Sequence, residues 1–114
     1  MKIYHNPRCR KSRETLSIIQ SHHYDCEIIE YLKNPISKSE LKNLINMLNT
    51  SASNLIRKED KLFKKKYKNQ NLTEEDCLDL LCMHPILIQR PIVVKDNSAI
   101  LGRPPINVLD LFNK

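Results

Sequence analysis

The first 32 residues alternate between strand-like and helix-like patterns, and that order constrains the fold more than any bulk property. Lys2-Ile3-Tyr4 is a short apolar-aromatic stretch that reads as a strand, and Asn6-Pro7 breaks it. From Ser12 to about Ser21, Thr15, Leu16, Ile18 and Ile19 supply apolar positions of a helix for which Ser12 is the expected cap. Cys26 to Leu32 reads as a second strand. Two strands joined through a helix are expected to lie parallel.

Beyond Asn34-Pro35 the pattern turns helical. Leu41, Leu44, Ile45 and Leu48 fall at helical spacing, with Ser39 or a neighbour as cap, and a small helical element follows over Ala52 to Arg57. Glu59 to Lys68 is strongly basic and reads as a short helix. Thr73-Glu74-Glu75-Asp76 opens a further helix with acids in its first turn, as the dipole favours, and this helix ends at His84 before Pro85. Ile92 to Lys95 is β-branched, Asp96-Asn97-Ser98 is a turn, and Ala99 to Leu101 is the hairpin partner. Gly102-Arg103-Pro104-Pro105 leads into a last helix, Ile106 to Phe112, with Pro105 suited to its first turn. The expectation is an α/β fold: a thioredoxin-like mixed sheet with an inserted helical subdomain, in a single domain spanning 1–114.

Cys9 is the residue that points to chemistry. It lies in the strand-to-helix loop, at or just before a helix N-terminus, where unpaired backbone N–H groups and the positive end of the dipole favour a thiolate and attract anions. Arg8, Arg10, Lys11 and Arg13 surround it in sequence, so one loop is expected to supply both nucleophile and anion site. Cys77 and Cys82 share an apolar stripe with Leu78 and Leu81 and read as core, and Cys26 reads as a core strand thiol.

Composition removes several alternatives. Gly102 is the only glycine, which excludes a P-loop and a dinucleotide fingerprint. The cysteines and histidines form no C-x-x-C or H-x-x-x-H pair, so no metal site is expected. Position 15, where a phosphatase-type loop would carry its arginine, holds Thr15. The net charge of +6 is concentrated in Lys61-Leu62-Phe63-Lys64-Lys65-Lys66-Tyr67-Lys68. That run reads as a solvated helix face with Leu62, Phe63 and Tyr67 turned inward rather than as a nucleic-acid contact. Lys2 is followed by no apolar leader segment, no stretch is long enough to span a bilayer, and the cysteines are irregularly spaced. The expectation is therefore a cytoplasmic protein with free thiols.

The segment Tyr4-His5-Asn6-Pro7-Arg8-Cys9 with Ser12-Arg13 resembles the active-site loop of the glutaredoxin-dependent arsenate reductase (ArsC) family. His84-Pro85-Ile86-Leu87-Ile88-Gln89-Arg90-Pro91-Ile92-Val93-Val94 resembles that family's second signature, Leu101-Gly102-Arg103-Pro104 its third, and Leu55-Ile56-Arg57-Lys58 the region of a further active-site arginine. Arg10-Lys11 stand where archetypal members carry small residues, and the loop together with Gly102-Arg103-Pro104-Pro105 is closer to the YfgD-like branch. The resemblance implies that Cys9 is the nucleophile toward arsenate, that Arg57, Arg90 and Arg103 bind the oxyanion, and that Pro91 is a cis-proline facing the cysteine.

Ser12 stands where a dithiol enzyme has its resolving cysteine, so the second thiol must come from elsewhere. The resemblance implies glutathione as co-substrate and glutaredoxin as partner, with no bound cofactor. Ser12 is expected either to hydrogen-bond the Cys9 sulfur or to cap the helix, and His5 to raise the local positive potential, to orient the loop, or to be a plain structural histidine. Arg13 is a supporting cation. Two other functions remain open at this point: an Spx-like RNA polymerase-binding regulator, against which Ser12 argues because redox-switched members carry C-x-x-C, and a monothiol-glutaredoxin-like thiol exchange protein.

Overall fold

A computed structural model describes residues 1–113. They fall into two units: unit 1, Met1–Asn34 with Arg90 onward, and unit 2, Pro35–Gln89, which is inserted in sequence between the halves of the first.

Unit 1 carries a sheet. β1 (Lys2–Tyr4), α1 (Arg10–Ser21) and β2 (Glu27–Ile29) are followed, after the insertion, by β3 (Ile92–Lys95) and β4 (Ser98–Leu101). The strand order is β2-β1-β3-β4. β1 and β2 run parallel with Lys2 opposite Glu27 and Tyr4 opposite Ile29. β3 pairs antiparallel with β1, and β4 antiparallel with β3. The fold is α/β, with a mixed sheet of thioredoxin-like type. Ile3, Ile19, Val93, Val108 and Leu111 form its buried core. Burying each such side chain stabilises by about 1.5–3 kcal/mol.

The second strand is shorter than the expected Cys26–Leu32. β1 ends before Asn6-Pro7, so residues beyond Ile29 have no strand beside them. They fold instead into a turn in which Lys33 N–H and Asn34 N–H both donate to Glu30 C=O, each at 3.0 Å. Cys26 precedes the strand and is half-buried against the core cluster rather than a core strand residue. The last helix also differs. Pro105–Val108 forms a 3-10 turn, with Asn107 N–H donating to Pro104 C=O at 3.0 Å, before α6 (Leu109–Phe112) continues as α-helix.

Unit 2 is helical: α2 (Lys38–Met47), α3 (Ala52–Leu55), α4 (Lys61–Lys66) and α5 (Glu74–Met83), followed by a 3-10 turn at Pro85–Leu87. A side-chain oxygen marks each start. Ser37, not Ser39, caps α2; Ser51 caps α3, Asp60 caps α4, and Thr73 with Asp76 forms a reciprocal capping box on α5. Buried Cys77, Leu78, Leu80 and Leu81 of α5 provide the apolar stripe against which α2 and α3 pack. The element expected over Ala52–Arg57 stops at Leu55, because Ile56 turns extended and forms an antiparallel bridge with Ile88. Arg57 N–H then donates to Leu87 C=O at 2.7 Å and Gln89 N–H to Leu55 C=O at 2.8 Å. In the basic run Phe63 is buried, Leu62 and Tyr67 are half-buried, and all five lysines are exposed.

The single glycine sits at a close approach within unit 1. A Cβ at Gly102 would lie 2.5 Å from Thr15 Oγ1 and 2.8 Å from Pro91 Cγ. Thr15 is fully buried in α1, and Gly102 N–H donates to Pro91 C=O at 2.9 Å. We expect Gly102→Ala to destabilise the protein by about 1–3 kcal/mol, the usual cost of overpacking. Urea unfolding measures this, and an unchanged midpoint would contradict the close approach.

Candidate active site

The loop after β1 is built around Asn6, which is buried. Its carbonyl accepts the Cys9 N–H at 3.0 Å, its Oδ1 accepts the Arg8 N–H at 3.0 Å, and its own N–H donates to Ser12 Oγ at 3.1 Å. These bonds close the loop so tightly that α1 starts at Arg10, two residues earlier than expected. Cys9 is therefore the N-cap residue, with extended backbone at φ −90° and ψ 121°. The Arg13 N–H donates to its carbonyl at 3.0 Å. Ser12 is not the cap. It lies inside the first turn and is fully buried, with its hydroxyl shared between the Asn6 N–H and His5 Nδ1, the latter at 2.6 Å.

The Cys9 sulfur is held where its charged form is favoured. Partial burial is the largest single effect and opposes ionisation. The Ser12 amide, the Arg90 guanidinium (through both a hydrogen bond and its charge) and the Lys11 amide together outweigh it. The thiol pKa is lowered below its ordinary 9.0. The backbone part of this is the helix N-terminus acting through two of its free N–H groups.

The side-chain cation that acts on the sulfur comes from outside the loop, while the loop supplies the Ser12 and Lys11 amides. Arg10 is turned to solvent and pairs with Glu14 at 2.8 Å. Arg13 donates to Pro7 C=O at 3.0 Å, tying down the turn. Arg90, at the start of the second half of unit 1, is the guanidinium that reaches Cys9. The Arg90–Pro91 peptide is cis and Pro91 is buried; Arg103–Pro104 is cis as well. Arg103 Nη1 donates to Arg90 C=O at 3.2 Å, so Cys9, Arg90 and Arg103 form a connected set within unit 1. Arg57 belongs to the helical unit, where it pairs with Asp60 at 3.6 Å.

His5 is buried and its pKa is lowered, chiefly by desolvation and also by Arg13, while Glu30 pulls the other way. The shift disfavours the charged imidazole, and the ring's contact is with the Ser12 hydroxyl. Cys26, Cys77 and Cys82 all have raised pKa values, in each case mainly through burial. Cys77 is core as expected, whereas Cys82 is only half-buried. Among the described residues no group of three or more His, Cys, Asp or Glu is placed to hold a metal ion, and no helix is long and apolar enough to cross a membrane.

A model of the ArsC family matches residues 4–111. The chain belongs to the ArsC family. It is 39% identical over 113 residues to the Escherichia coli K12 protein YfgD, covering 97% of this chain and 95% of that one. It is 40% identical over 110 residues to an arsenate reductase of Neisseria meningitidis, covering 95% and 94%. Among solved structures, an arsenate reductase from Vibrio cholerae superposes with a TM-score of 0.90 at 37% identity, covering 96% of this chain and 97% of that one. The ArsC fold of this chain thus carries its one acidified thiol at the start of α1.

Arg90→Met removes the side-chain cation from Cys9 and leaves the Ser12 and Lys11 amides. Thiolate formation at Cys9 should move to higher pH, and alkylation by iodoacetamide at mildly acidic pH should slow while the other three thiols keep their rates. An unchanged Cys9 profile would show that Arg90 does not act on the sulfur. Ser12→Ala leaves the buried Asn6 N–H without its acceptor and should cost about 1–3 kcal/mol in urea unfolding; a neutral substitution would contradict the hydrogen-bonded loop.

Proposed function

We propose that this ArsC-family chain is a thiol-dependent oxidoreductase that reduces an arsenate-like oxyanion with Cys9 as nucleophile. The observation that carries the reading is the lowered pKa of Cys9 at the α1 N-terminus beside Arg90. Relatives named arsenate reductases, at about 40% identity along nearly the whole chain, support the substrate class.

Arsenate at neutral pH is an anion, and a thiolate approaching it meets like charge. Guanidinium groups offset that repulsion and orient the oxyanion through paired N–H donors. Arg90 and Arg103 are the candidates in unit 1, and Arg57 is the proposed third arginine. Cys9 attack forms a sulfur–arsenic bond and expels one oxygen as water or hydroxide. Reduction from As(V) to As(III) then needs two electrons, which two thiols supply as they become a disulfide. The loop holds serine at position 12 rather than a second cysteine, so that thiol is external. Glutathione is the proposed co-substrate: it leaves a mixed disulfide on Cys9 and arsenite in solution. Glutaredoxin then reduces the disulfide and returns Cys9 to a thiol. This thiol cycle suits a reducing compartment, and we place the protein in the cytoplasm.

Purified protein supplied with arsenate, glutathione and glutaredoxin should form arsenite. Cys9→Ser should lose the activity entirely, Cys26→Ser and Cys82→Ser should retain it, and Arg90→Met should lower kcat/KM by about 10²–10³-fold, the usual cost of removing a donor to a developing oxyanion. A wild-type protein without turnover, or an active Cys9→Ser variant, would overturn the assignment.

A further inference from the structure

The loop that carries Cys9 holds charge that the chemistry described above does not use. Glu14 is the only acid among residues 1–24, against the cations Lys2, Arg8, Arg10, Lys11 and Arg13. Arg10 pairs with Glu14, and Arg13 donates to the Pro7 carbonyl. Glu30, the acid that acts on His5, pairs with Lys33 at 3.6 Å. Arg8 and Lys11 are exposed, and neither side chain makes an ion pair or hydrogen bond among the described residues.

The backbone ties both residues to the sulfur. Arg8 directly precedes Cys9, so their Cα atoms are about 3.8 Å apart, and its N–H is held by Asn6 Oδ1 at 3.0 Å. The Lys11 amide is one of the two that reach the Cys9 sulfur. The side-chain charge that acts on the sulfur itself is that of Arg90, not of Arg8 or Lys11. Their charges are left to act on what approaches Cys9 from solvent. Backbones this close keep both charges near any molecule bonded to Cys9, on the scale of the Debye length, about 8 Å at physiological ionic strength.

We infer that Arg8 and Lys11 are specificity-determining residues for the external thiol: they select an anionic thiol carrier, glutathione, over neutral and cationic ones. The inference rests on the reading of Cys9 as a nucleophile served by glutathione. Glutathione carries two carboxylates and one ammonium and is net negative at neutral pH. Its sulfur must come into bonding distance of the Cys9 sulfur, and that approach is what brings both cations to one ligand. The selection is by net charge through a field that salt screens, not by a shaped pocket. The same selection governs plain thiol–disulfide exchange. There the Cys9 thiolate attacks one sulfur of a disulfide, a Cys9 mixed disulfide forms, and the other half leaves as a thiolate, with no net oxidation.

The test measures exchange rates at Cys9, by peptide mass spectrometry, with three disulfides of different charge: oxidised glutathione (anionic), hydroxyethyl disulfide (neutral) and cystamine (cationic). At an ionic strength of about 0.01 M the Arg8→Gln/Lys11→Gln variant, which keeps the Lys11 amide, should lower the glutathione rate relative to hydroxyethyl disulfide about tenfold, within the scale of electrostatic steering. Cystamine should gain relative to hydroxyethyl disulfide in the same variant. The ratio to the neutral disulfide cancels any change in the thiol itself. Each single variant should show about a threefold loss, so one folded variant is enough to decide. At about 1 M salt the difference between wild type and variant should vanish. An unchanged ratio in the variants, equal losses with all three disulfides, or a difference that survives high salt would overturn the inference. Arsenate is absent from this assay. Charge selection without arsenite formation would overturn oxyanion reduction alone, and arsenite formation without charge selection would overturn this inference alone.

Discussion

The chemistry of this chain depends on one electrostatic contest, fought at the Cys9 sulfur. Burial is the largest single effect there, and it resists a charge. Three groups favour the charge against it: two amides of the first turn of α1 and one guanidinium brought from Arg90. The remaining thiols show the same contest lost, since burial acts on them without comparable support.

The geometry behind that contest is set by the hydrogen-bonded cysteine loop together with close packing around Gly102. Asn6 closes the turn and makes Cys9 the first residue of the helix start. Gly102 lets β4 end directly against Thr15 of α1 and against Pro91, and Arg103 follows at once, donating to the Arg90 carbonyl. In a chain with one glycine, its place is where helix, cis-proline and arginine segments touch, so backbone proximity and site assembly share a cause. The functional side chains are thus positioned by elements far apart in sequence, as expected when reactive loops ride on a rigid sheet.

Much of this was legible in the sequence because it was local. The β-α-β opening, the acidic first turn after Thr73, and the inward Phe63 among lysines all follow from periodicity and capping chemistry. The segments of residue pattern at positions 4–13, 84–94 and 101–104 carried the family resemblance, and the family model extends along the same stretch. What sequence reasoning missed depended on through-space partners. Ser12 looked like a cap because serine caps helices, but the bonds made by buried Asn6 start the helix at Arg10 and turn Ser12 inward to His5. Of the loop cations, Arg10 pairs with Glu14 and Arg13 with the Pro7 carbonyl, and the guanidinium acting on the Cys9 sulfur is Arg90, a partner that adjacency in sequence does not reveal. The length of β2 was overread because strand propensity does not reveal that its partner, β1, has only three residues.

The central claim is that Cys9 is charged at a pH where the other cysteines are not. The most direct measurement is an NMR titration of the four cysteine Cβ signals in wild-type protein with labelled cysteine. The Cys9 signal should titrate first, below the ordinary thiol value of 9.0, with Cys26, Cys77 and Cys82 all above it. A Cys9 signal that titrates together with the others, or after them, would contradict the account.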